Sequence, residues 1–175
     1  MPLLVEGTVA DLAPSARKVQ DAWRALGVPA EVVELPGYTR TAAEAAATLG
    51  CDVEEIAKSL VFRMGGGEAV LVMLSGRDRV DETRLAECLG EAVGKADAAF
   101  VRECTGFAVG GVPPVGHVRS LVTLLDDALL ELDAVWAAAG TPHAVARVLT
   151  RDLRRLPNAR IATLRERREG TSVAA

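Results

Sequence analysis

The sequence predicts an α/β (α+β) fold, a single domain in which helices surround a mixed β-sheet. Segments with helical periodicity come first, and short apolar segments typical of strands follow, with further helices between them. No internal repeat or low-complexity linker interrupts the 175 residues, so one domain over 1–175 is expected. Hydrophobic residues make up 50% of the chain and aromatic residues only 3%, so Ala, Val and Leu must form the core.

The first predicted elements are a helix and a strand. The helix begins at Pro14-Ser15 and ends at Gly27. Its apolar side chains recur at helical spacing and form the expected buried stripe, which consists of Val19, Ala22, Trp23 and Leu26. The segment AEVVEL at 30–35 is typical of a strand, and Pro36-Gly37 ends it.

A second helix and a hairpin are predicted next. Thr41 begins the helix, with Glu44 three residues later as a capping box, and Gly50 ends it. The segment CDVEEIAKS is expected to form a short helix that leads into a strand over 60–64. A glycine turn joins this strand to its hairpin partner at 68–75, which is apolar on both faces and is therefore expected at the centre of the sheet.

The second half of the chain is expected to complete the sheet. Helices are predicted over 81–89 and 95–104, followed by a glycine- and proline-rich loop over 105–117. The later predicted elements are a strand in HVRSLVTLLD, the strand pair DAVWAAAG and HAVARVL, a short helix RDLRRL capped by Thr150, and a last strand in ARIATL. The C-terminal tail, residues 165–175, is expected to fray.

Charge is distributed unevenly along the chain. Eight arginines lie between Arg147 and Arg168, against Asp152 and Glu166, although the net charge is −4. A solvated helix face and a contact with a nucleic-acid backbone would each explain this cluster, and the sequence leaves both open. No zinc finger, basic zipper or recognition helix is visible, so sequence-specific DNA binding is not expected.

Other protein classes are not supported by the sequence. There is no apolar run of about 18 residues that could cross a membrane, and the N-terminus lacks the basic and apolar segments of a signal peptide. We therefore expect a cytoplasmic protein without membrane contact. The cysteines Cys51, Cys88 and Cys104 show no metal-binding spacing, which predicts reduced, packed thiols; a cysteine nucleophile is the alternative, without local support. No cofactor is expected.

Lys58 is the first candidate for a functional side chain. It is one of only three lysines, and in IAKSLVF it stands at the start of a strongly apolar strand. Its ammonium group either snorkels to the surface or supplies a point charge in a pocket. Ser59, the next residue, offers a hydroxyl group to a ligand at the same place.

The loop Gly110-Gly111-Val112-Pro113-Pro114 is the second candidate. Glycine permits close approach of a ligand to the backbone, and proline stiffens the loop. Free N–H groups in such a loop would polarise a carbonyl group or bind an oxyanion. A plain surface turn is the alternative interpretation.

The third candidate is the turn Gly140-Thr141-Pro142-His143. Here His143 would be a base, a ligand or a structural residue, and His117 is open to the same three interpretations. No GxSxG serine, HExxH motif or carboxylate pair offers a competing site.

These segments together resemble the YbaK/ProX (YbaK/EbsC) family of aminoacyl-tRNA deacylases, which is related to the editing domain of bacterial prolyl-tRNA synthetase. They match the family in order and spacing over about residues 38–164. The matching segments are AAEAAATLGC, IAKSLVFRM, AVLVMLSGRDRVD, KADAAFVRECTGFAVGGVPPVGH and VWAAAGTPHAVARVLTRDLRRLPNARIATL. The resemblance implies a single mixed α/β domain with a barrel-like sheet.

The resemblance also implies roles for individual residues. The family's functional lysine corresponds to Lys58, with Ser59 at the neighbouring hydroxyl position, and its GxxxP loop corresponds to Gly110 through Pro114. Lys58 and Gly110 are then expected to be catalytic, without a metal. The remaining residues of these motifs are expected to bind the substrate, an aminoacyl ester of a tRNA; they are Ser59, Gly111, Val112, Pro113, Pro114, Gly140, Thr141 and His143.

One feature departs from the cysteine-specific members of the family. Those members carry a small hydroxyl residue just before the late glycine and an acidic residue a few positions after it. Here Ala138 and Ala139 precede Gly140, and the run Thr141-Pro142-His143-Ala144-Val145, which has no acidic residue, follows it. The amino acid therefore stays open among cysteine, alanine, serine, threonine and other small residues. We expect tRNA-Pro or a related tRNA as substrate and a synthetase such as prolyl-tRNA synthetase as a candidate partner. A non-catalytic tRNA- or synthetase-binding module of the same fold is the alternative function.

Overall fold

The structure is a computed structural model, and it describes residues 11–37 and 39–168. The α-helices in this part are α1 Pro14–Ala25, α2 Ala42–Leu49, α3 Glu82–Leu89, α4 Ala98–Thr105 and α5 Thr150–Leu153. The strands are β1 Val32–Glu34, β2 Ile56–Met64, β3 Ala69–Ser75, β4 Val93–Lys95, β5 Val122–Asp126, β6 Ala134–Ala138, β7 Ala144–Leu149 and β8 Ala159–Ala162.

The first two helices begin and end where the sequence predicts. In α1, Val19 and Trp23 are fully buried on the expected apolar stripe. At the start of α2, the Thr41 hydroxyl accepts a hydrogen bond from the N–H of Glu44 at 3.1 Å. Gly50 ends this helix with φ +69°, a conformation that favours glycine.

The strands form one mixed sheet in the order β1-β7-β6-β2-β3-β5-β8, with β4 paired to β2 as well. The pairs β2–β6, β3–β5 and β5–β8 are parallel, and the others are antiparallel. This confirms the expected mixed α/β fold. All seven residues of β3 are buried, which confirms its central position. The order is open in the described residues, because no pairing joins β1 to β8.

The sheet has a gap along one edge of β2. On this edge β6 pairs with Ile56 and Ala57, and β4 pairs with the strand only from Phe62 onward. Residues 58–61 therefore pair with β3 alone, on the opposite edge. This gap fixes the position of the site described below.

The segment before β2 differs from the prediction. A 3₁₀ turn over Val53–Glu55 takes the place of the expected short helix, and the strand begins at Ile56 instead of residue 60. The strand is longer because Ile56 and Ala57 pair with β6. Lys58 consequently lies inside a strand and not at a junction between a helix and a strand.

Two later predictions were also wrong in detail. Lys95 ends β4, and the helix predicted from residue 95 begins only after Asp97, whose carboxylate accepts a hydrogen bond from the N–H of Phe100 at 2.8 Å. Thr150 does not cap the short helix that it begins. Its hydroxyl group donates instead to the carbonyl of Leu132, and α5 is a single turn.

The C-terminal segment is held against the sheet as far as residue 168. The expected fraying does not extend to residues 165–168, because Arg165 is paired with Asp126 and Arg168 with Asp78. Residues 169–175 lie outside the described residues, as do residues 1–10 and Tyr38. None of the helices in the described ranges combines the length and the apolarity needed to cross a bilayer.

Candidate functional site

A cavity of about 390 Å³ lies beside the gap in the β2 edge. Its walls come from β2, the loop after α4, the start of α2 and the strand pair β6–β7. It brings together five of the ten residues predicted for the site: Lys58, Ser59, Gly110, Val112 and Thr141. Three segments that are distant in sequence thus meet at one opening in the sheet.

Lys58 lies at one wall of this cavity. Its Nζ donates a hydrogen bond to the backbone carbonyl of Asp78, which leaves its other N–H donors for a ligand. Burial lowers the pKa of Lys58 from the ordinary lysine value. The positive charge of Arg79 lowers this pKa further, and the negative charge of Asp78 opposes both effects.

Ser59 lines the same cavity beside Lys58. Its Oγ is buried and has no hydrogen-bond partner within the described residues. Leaving a buried hydroxyl group unpaired costs about 1–3 kcal/mol. A polar group of this kind in a cavity wall is suited to a ligand that supplies the missing hydrogen bond.

Glycine is favoured at the two glycine positions of the loop for different structural reasons. Gly110 has φ +92°, in the left-handed region, with open space where a side chain would begin. A Cβ atom on Gly111 would lie 3.0 Å from the backbone of Thr141. In addition, the Gly111 carbonyl accepts a hydrogen bond from the N–H of Gly140 at 2.9 Å. The loop is therefore packed directly against the β6–β7 turn.

Pro113 and Pro114 are buried behind the loop and do not line the cavity. Nε2 of His117 lies 2.6 Å from the carbonyl oxygen of Pro113. A carbonyl oxygen can only accept, so Nε2 donates this hydrogen bond. Burial lowers the pKa of His117, and the hydrogen bond to Pro113 opposes this effect. His117 thus holds the proline end of the loop on the side away from the cavity. Direct contacts of Pro113 and Pro114 with the substrate remain a prediction.

The β6–β7 turn contributes one lining residue from the predicted set, Thr141. Gly140 has φ +97°, and a Cβ atom there would lie 2.7 Å from the carbonyl oxygen of Ser15, so glycine is required for packing against α1. Nδ1 of His143 lies 3.0 Å from the carbonyl oxygen of Gly37. Gly140 and His143 do not line the cavity, and their roles in substrate binding remain predictions.

Several lining residues were not found from the sequence. They include Arg40, Ala45 and Trp136. Ala138 and Val145, which the sequence placed in the region where the cysteine-specific members differ, also line the cavity. The capping box at Thr41 was a visible signal, but it marks a helix start in any protein. Nothing in the sequence indicates that this helix start faces Lys58.

The cysteines do not contribute to the cavity. Cys104 is buried, and burial raises the pKa of Cys51, an effect reinforced by the charges of Glu55 and Asp52. Cys51 is therefore kept as a thiol, which is a poor nucleophile. In residues 11–37 and 39–168, no three His, Cys, Asp or Glu side chains gather in a way that suits a metal ion.

The arginine-rich segment divides into two groups. Arg155 donates hydrogen bonds to the carbonyls of Leu26 and Gly27, and Arg165 and Arg168 are held by buried carboxylates. The other side chains of the segment are exposed: Arg147, Arg151, Arg154, Arg160 and Arg167. Only the second group can supply a charged surface without breaking one of these interactions within the domain.

A sequence model of the aminoacyl-tRNA editing domain matches residues 37–156. The chain belongs to this family. The matched range begins within one residue of the expected span 38–164. The match confirms the family resemblance, and the roles of the individual site residues remain predictions.

Two relatives illustrate the range of the family. The chain is 28% identical over 123 residues to the uncharacterized protein YwhH of Bacillus subtilis, covering 70% of this chain and 78% of the relative. It is 35% identical over 113 residues to the proline–tRNA ligase of Limosilactobacillus fermentum, covering 61% of this chain and 19% of the ligase. The chain thus corresponds to about a fifth of the length of such a ligase.

Solved structures show the same fold. A proposed trans-editing enzyme for prolyl tRNA synthetase is 46% identical, with a TM-score of 0.85, covering 90% of this chain and all of that protein. The hypothetical protein APE2540 is 34% identical, with a TM-score of 0.80, covering 85% of this chain and 99% of that protein.

Proposed function

We propose that this protein is a trans-editing aminoacyl-tRNA deacylase. It hydrolyses the ester bond of a mischarged tRNA, either tRNA-Pro or a related tRNA that carries a small amino acid. The observation that carries this proposal is the meeting of the Lys58 ammonium group and the Gly110 loop in one cavity. Membership of the editing-domain family supports the class of substrate.

The Gly110 loop is suited to bind the ester carbonyl. Hydrolysis places negative charge on the carbonyl oxygen, and backbone N–H groups fixed around it stabilise that charge. The N–H of Gly111 already donates to the carbonyl of Ala108 at 3.1 Å. The donors available to the substrate are therefore the N–H groups of Gly110 and Val112, both of which line the cavity.

Lys58 supplies a compact positive charge to the same reaction. Water forms a bond to the acyl carbon, the bond to the ribose oxygen breaks, and the proton that water loses goes to this oxygen. If a ribose hydroxyl group of the substrate attacks first, the acyl group moves to that oxygen and water must still cleave the new ester in the same way. Lys58 binds the developing negative charge or the 3′ end of the tRNA, and an ester needs no stronger nucleophile from the protein.

We expect a small aminoacyl group in this cavity, as the resemblance to the deacylase family implies. The wall contains Ala57, Ala138 and Ala144 beside the larger Trp136 and Val145. A single methylene group changes such selectivity only about 10–200-fold, so several small amino acids belong in the test.

The deciding experiment measures deacylation of tRNA-Pro charged with alanine, serine, threonine, cysteine or proline. We expect the wild type to hydrolyse at least one mischarged form and Lys58→Ala to reduce its rate about 100-fold or more. Lys18→Ala is the matched control and should retain activity, because Lys18 lies over the ring of Phe107 and outside the cavity. Equal rates for wild type and Lys58→Ala would contradict the mechanism.

The same experiment separates the enzyme from a non-catalytic module. A wild-type protein that binds tRNA without hydrolysing any of the five esters would indicate a binding module for tRNA or a synthetase. Adding prolyl-tRNA synthetase to the reaction tests whether that enzyme is a partner. A deacylase of this kind would act in the cytoplasm, where charged tRNA is used.

A further inference from the structure

The open edge of β2 presents unused backbone groups. In a strand, the N–H and C=O groups of alternate residues point to the same edge. The N–H of Gly65 donates to the carbonyl of Ala92 on the β4 side, which places the odd-numbered residues of β2 on this edge. Ser59 and Val61 therefore turn backbone groups toward the gap that β6 and β4 leave uncovered.

Three of these groups have no partner in the part of the chain that the structure describes. They are the N–H and the C=O of Ser59 and the N–H of Val61, which form no hydrogen bond with a strand or loop. Buried or half-buried backbone groups are normally paired. An acceptor on one residue and a donor two residues later form a fixed pair of binding groups along the edge.

A second cavity of about 260 Å³ opens on the same edge. It shares five lining residues with the Lys58 cavity: Ser59, Leu60, Val109, Gly110 and Val112. Apart from Lys95, the rest of its lining is apolar and consists of Val61, Phe62, Ala96 and Val101. A flat, largely apolar ring would pack against these walls. A donor next to an acceptor on the rim of the ring would pair with the C=O and N–H groups of the strand edge.

We propose that this edge binds the adenine base at the 3′ end of the tRNA. The C=O of Ser59 accepts a hydrogen bond from the N6 amino group, and the N–H of Val61 donates to N1 or N7. Unpaired bases at RNA ends are commonly recognised in this way, through the polar edge of the base. Gly110, which lines both cavities, then lies between the base and the aminoacyl ester. This proposal rests on the deacylase function proposed above.

Changes to the base test the proposal without changing the protein. The terminal adenosine is replaced by purine riboside, which lacks the N6 amino group, and the tRNA is charged with the amino acid that the wild type hydrolyses fastest. We expect kcat/KM to fall about tenfold, the effect of removing one hydrogen bond. A terminal 3-deazaadenosine, altered on the opposite edge of the base, is the matched control and should react normally. Equal kcat/KM for purine riboside and adenosine would overturn the proposal.

A backbone variant tests the protein side. Val61→Pro removes the N–H that faces the gap and no hydrogen bond to β3, so the strand should form. We expect kcat/KM of Val61→Pro to be about tenfold below that of Val61→Ala, because both variants lose the valine side chain and only the alanine variant keeps the N–H. Full activity of a folded Val61→Pro would overturn the proposal.

Hydrogen exchange distinguishes this proposal from the deacylase function and does not depend on a variant that folds. In the wild type, adenosine 5′-monophosphate should slow exchange of the Val61 amide and leave the Ala25 amide unchanged. That result without any ester hydrolysis would support the adenine site and contradict the proposed deacylase. No protection of Val61, or protection only by an added peptide strand, would overturn the adenine site.

Discussion

Lys58 is held in place by Asp78, a residue whose own carboxylate is buried. The Lys58 ammonium group donates to the backbone carbonyl of Asp78, and the Asp78 carboxylate accepts hydrogen bonds from Nε and Nη2 of Arg168 at 2.8 and 2.9 Å. Arg168 lies beyond the range 37–156 that the family model matches. A residue outside the matched range thus fixes the loop on which Lys58 depends.

Arg168→Ala should lower deacylation without removing any group from the cavity. Without the two-point pair, the Asp78 carboxylate stays buried and unneutralised and the loop that positions Lys58 loosens, at a cost of about 1–3 kcal/mol in stability. We expect kcat to fall several-fold while Arg168→Lys recovers part of it. Arg167→Ala is the control, because Arg167 is exposed at the neighbouring position. Equal kcat for Arg168→Ala and Arg167→Ala would show that the pair has no positioning role.

The pH dependence of deacylation should report the surroundings of Lys58. If the ammonium form is active, the rate falls as the pH rises through the pKa of Lys58, which burial lowers from 10.5. Asp78→Asn removes the charge that raises this pKa, so the alkaline limb should move to lower pH. Arg79→Gln removes a charge that lowers the pKa, so the limb should move to higher pH. Shifts in the same direction, or none, would argue against Lys58 as the titrating group.

Gly110→Val should reduce deacylation far more than it reduces stability. Valine at a positive φ is strained by about 1–2 kcal/mol, although no atom occupies the space that its Cβ would enter. Gly67 provides a matched control, since it has φ +90° and equally open space in the β2–β3 turn, outside both cavities. Both variants should show a similar decrease in stability in urea unfolding. If Gly67→Val loses as much activity as Gly110→Val, the loss of activity results from lower stability and not from a role of the Gly110 loop in the reaction.

The fold was largely predictable because its signals are local. The cap at Thr41, the glycine turn after residue 64 and the apolar run of β3 each depend on a few neighbouring residues. The start of β2 was missed because it depends on pairing with β6, which follows some 80 residues later. Thr150 was misassigned for a similar reason, since a residue from another segment, Leu132, accepts the hydrogen bond of its hydroxyl group.

The candidate site was predictable only in its motifs. Lys58 and the Gly110 loop were found, but their meeting beside a gap in the sheet results from three strand pairings that no motif encodes. The roles of Asp78 and Arg168 were hidden for the same reason, because 90 residues separate them. An arginine cluster in sequence, likewise, does not show which of its members are already paired.

The exposed arginines of the C-terminal half should bind the tRNA backbone. Arg151 and Arg154 lie on or next to α5 and are exposed, whereas Arg155 is bound to the carbonyls of Leu26 and Gly27. Phosphate binding releases counterions, so affinity should fall steeply with salt. Arg151→Ala and Arg154→Ala should each weaken binding of any tRNA and reduce the salt slope by about 0.7–0.9 for each phosphate that is no longer neutralised.

The control for this prediction is Arg102→Ala, which removes the same charge from an exposed position on α4. Arg102→Ala should keep the salt slope of the wild type if the effect is local to Arg151 and Arg154. A general effect of net charge would instead change the slope equally in all three variants. Rates of deacylation at saturating tRNA should also stay near the wild-type value in Arg151→Ala and Arg154→Ala, since the cavity contains neither residue. Two results would contradict this prediction: tRNA binding that does not depend on salt, or binding that Arg102→Ala weakens equally. Either would indicate that these arginines only keep the helix face solvated.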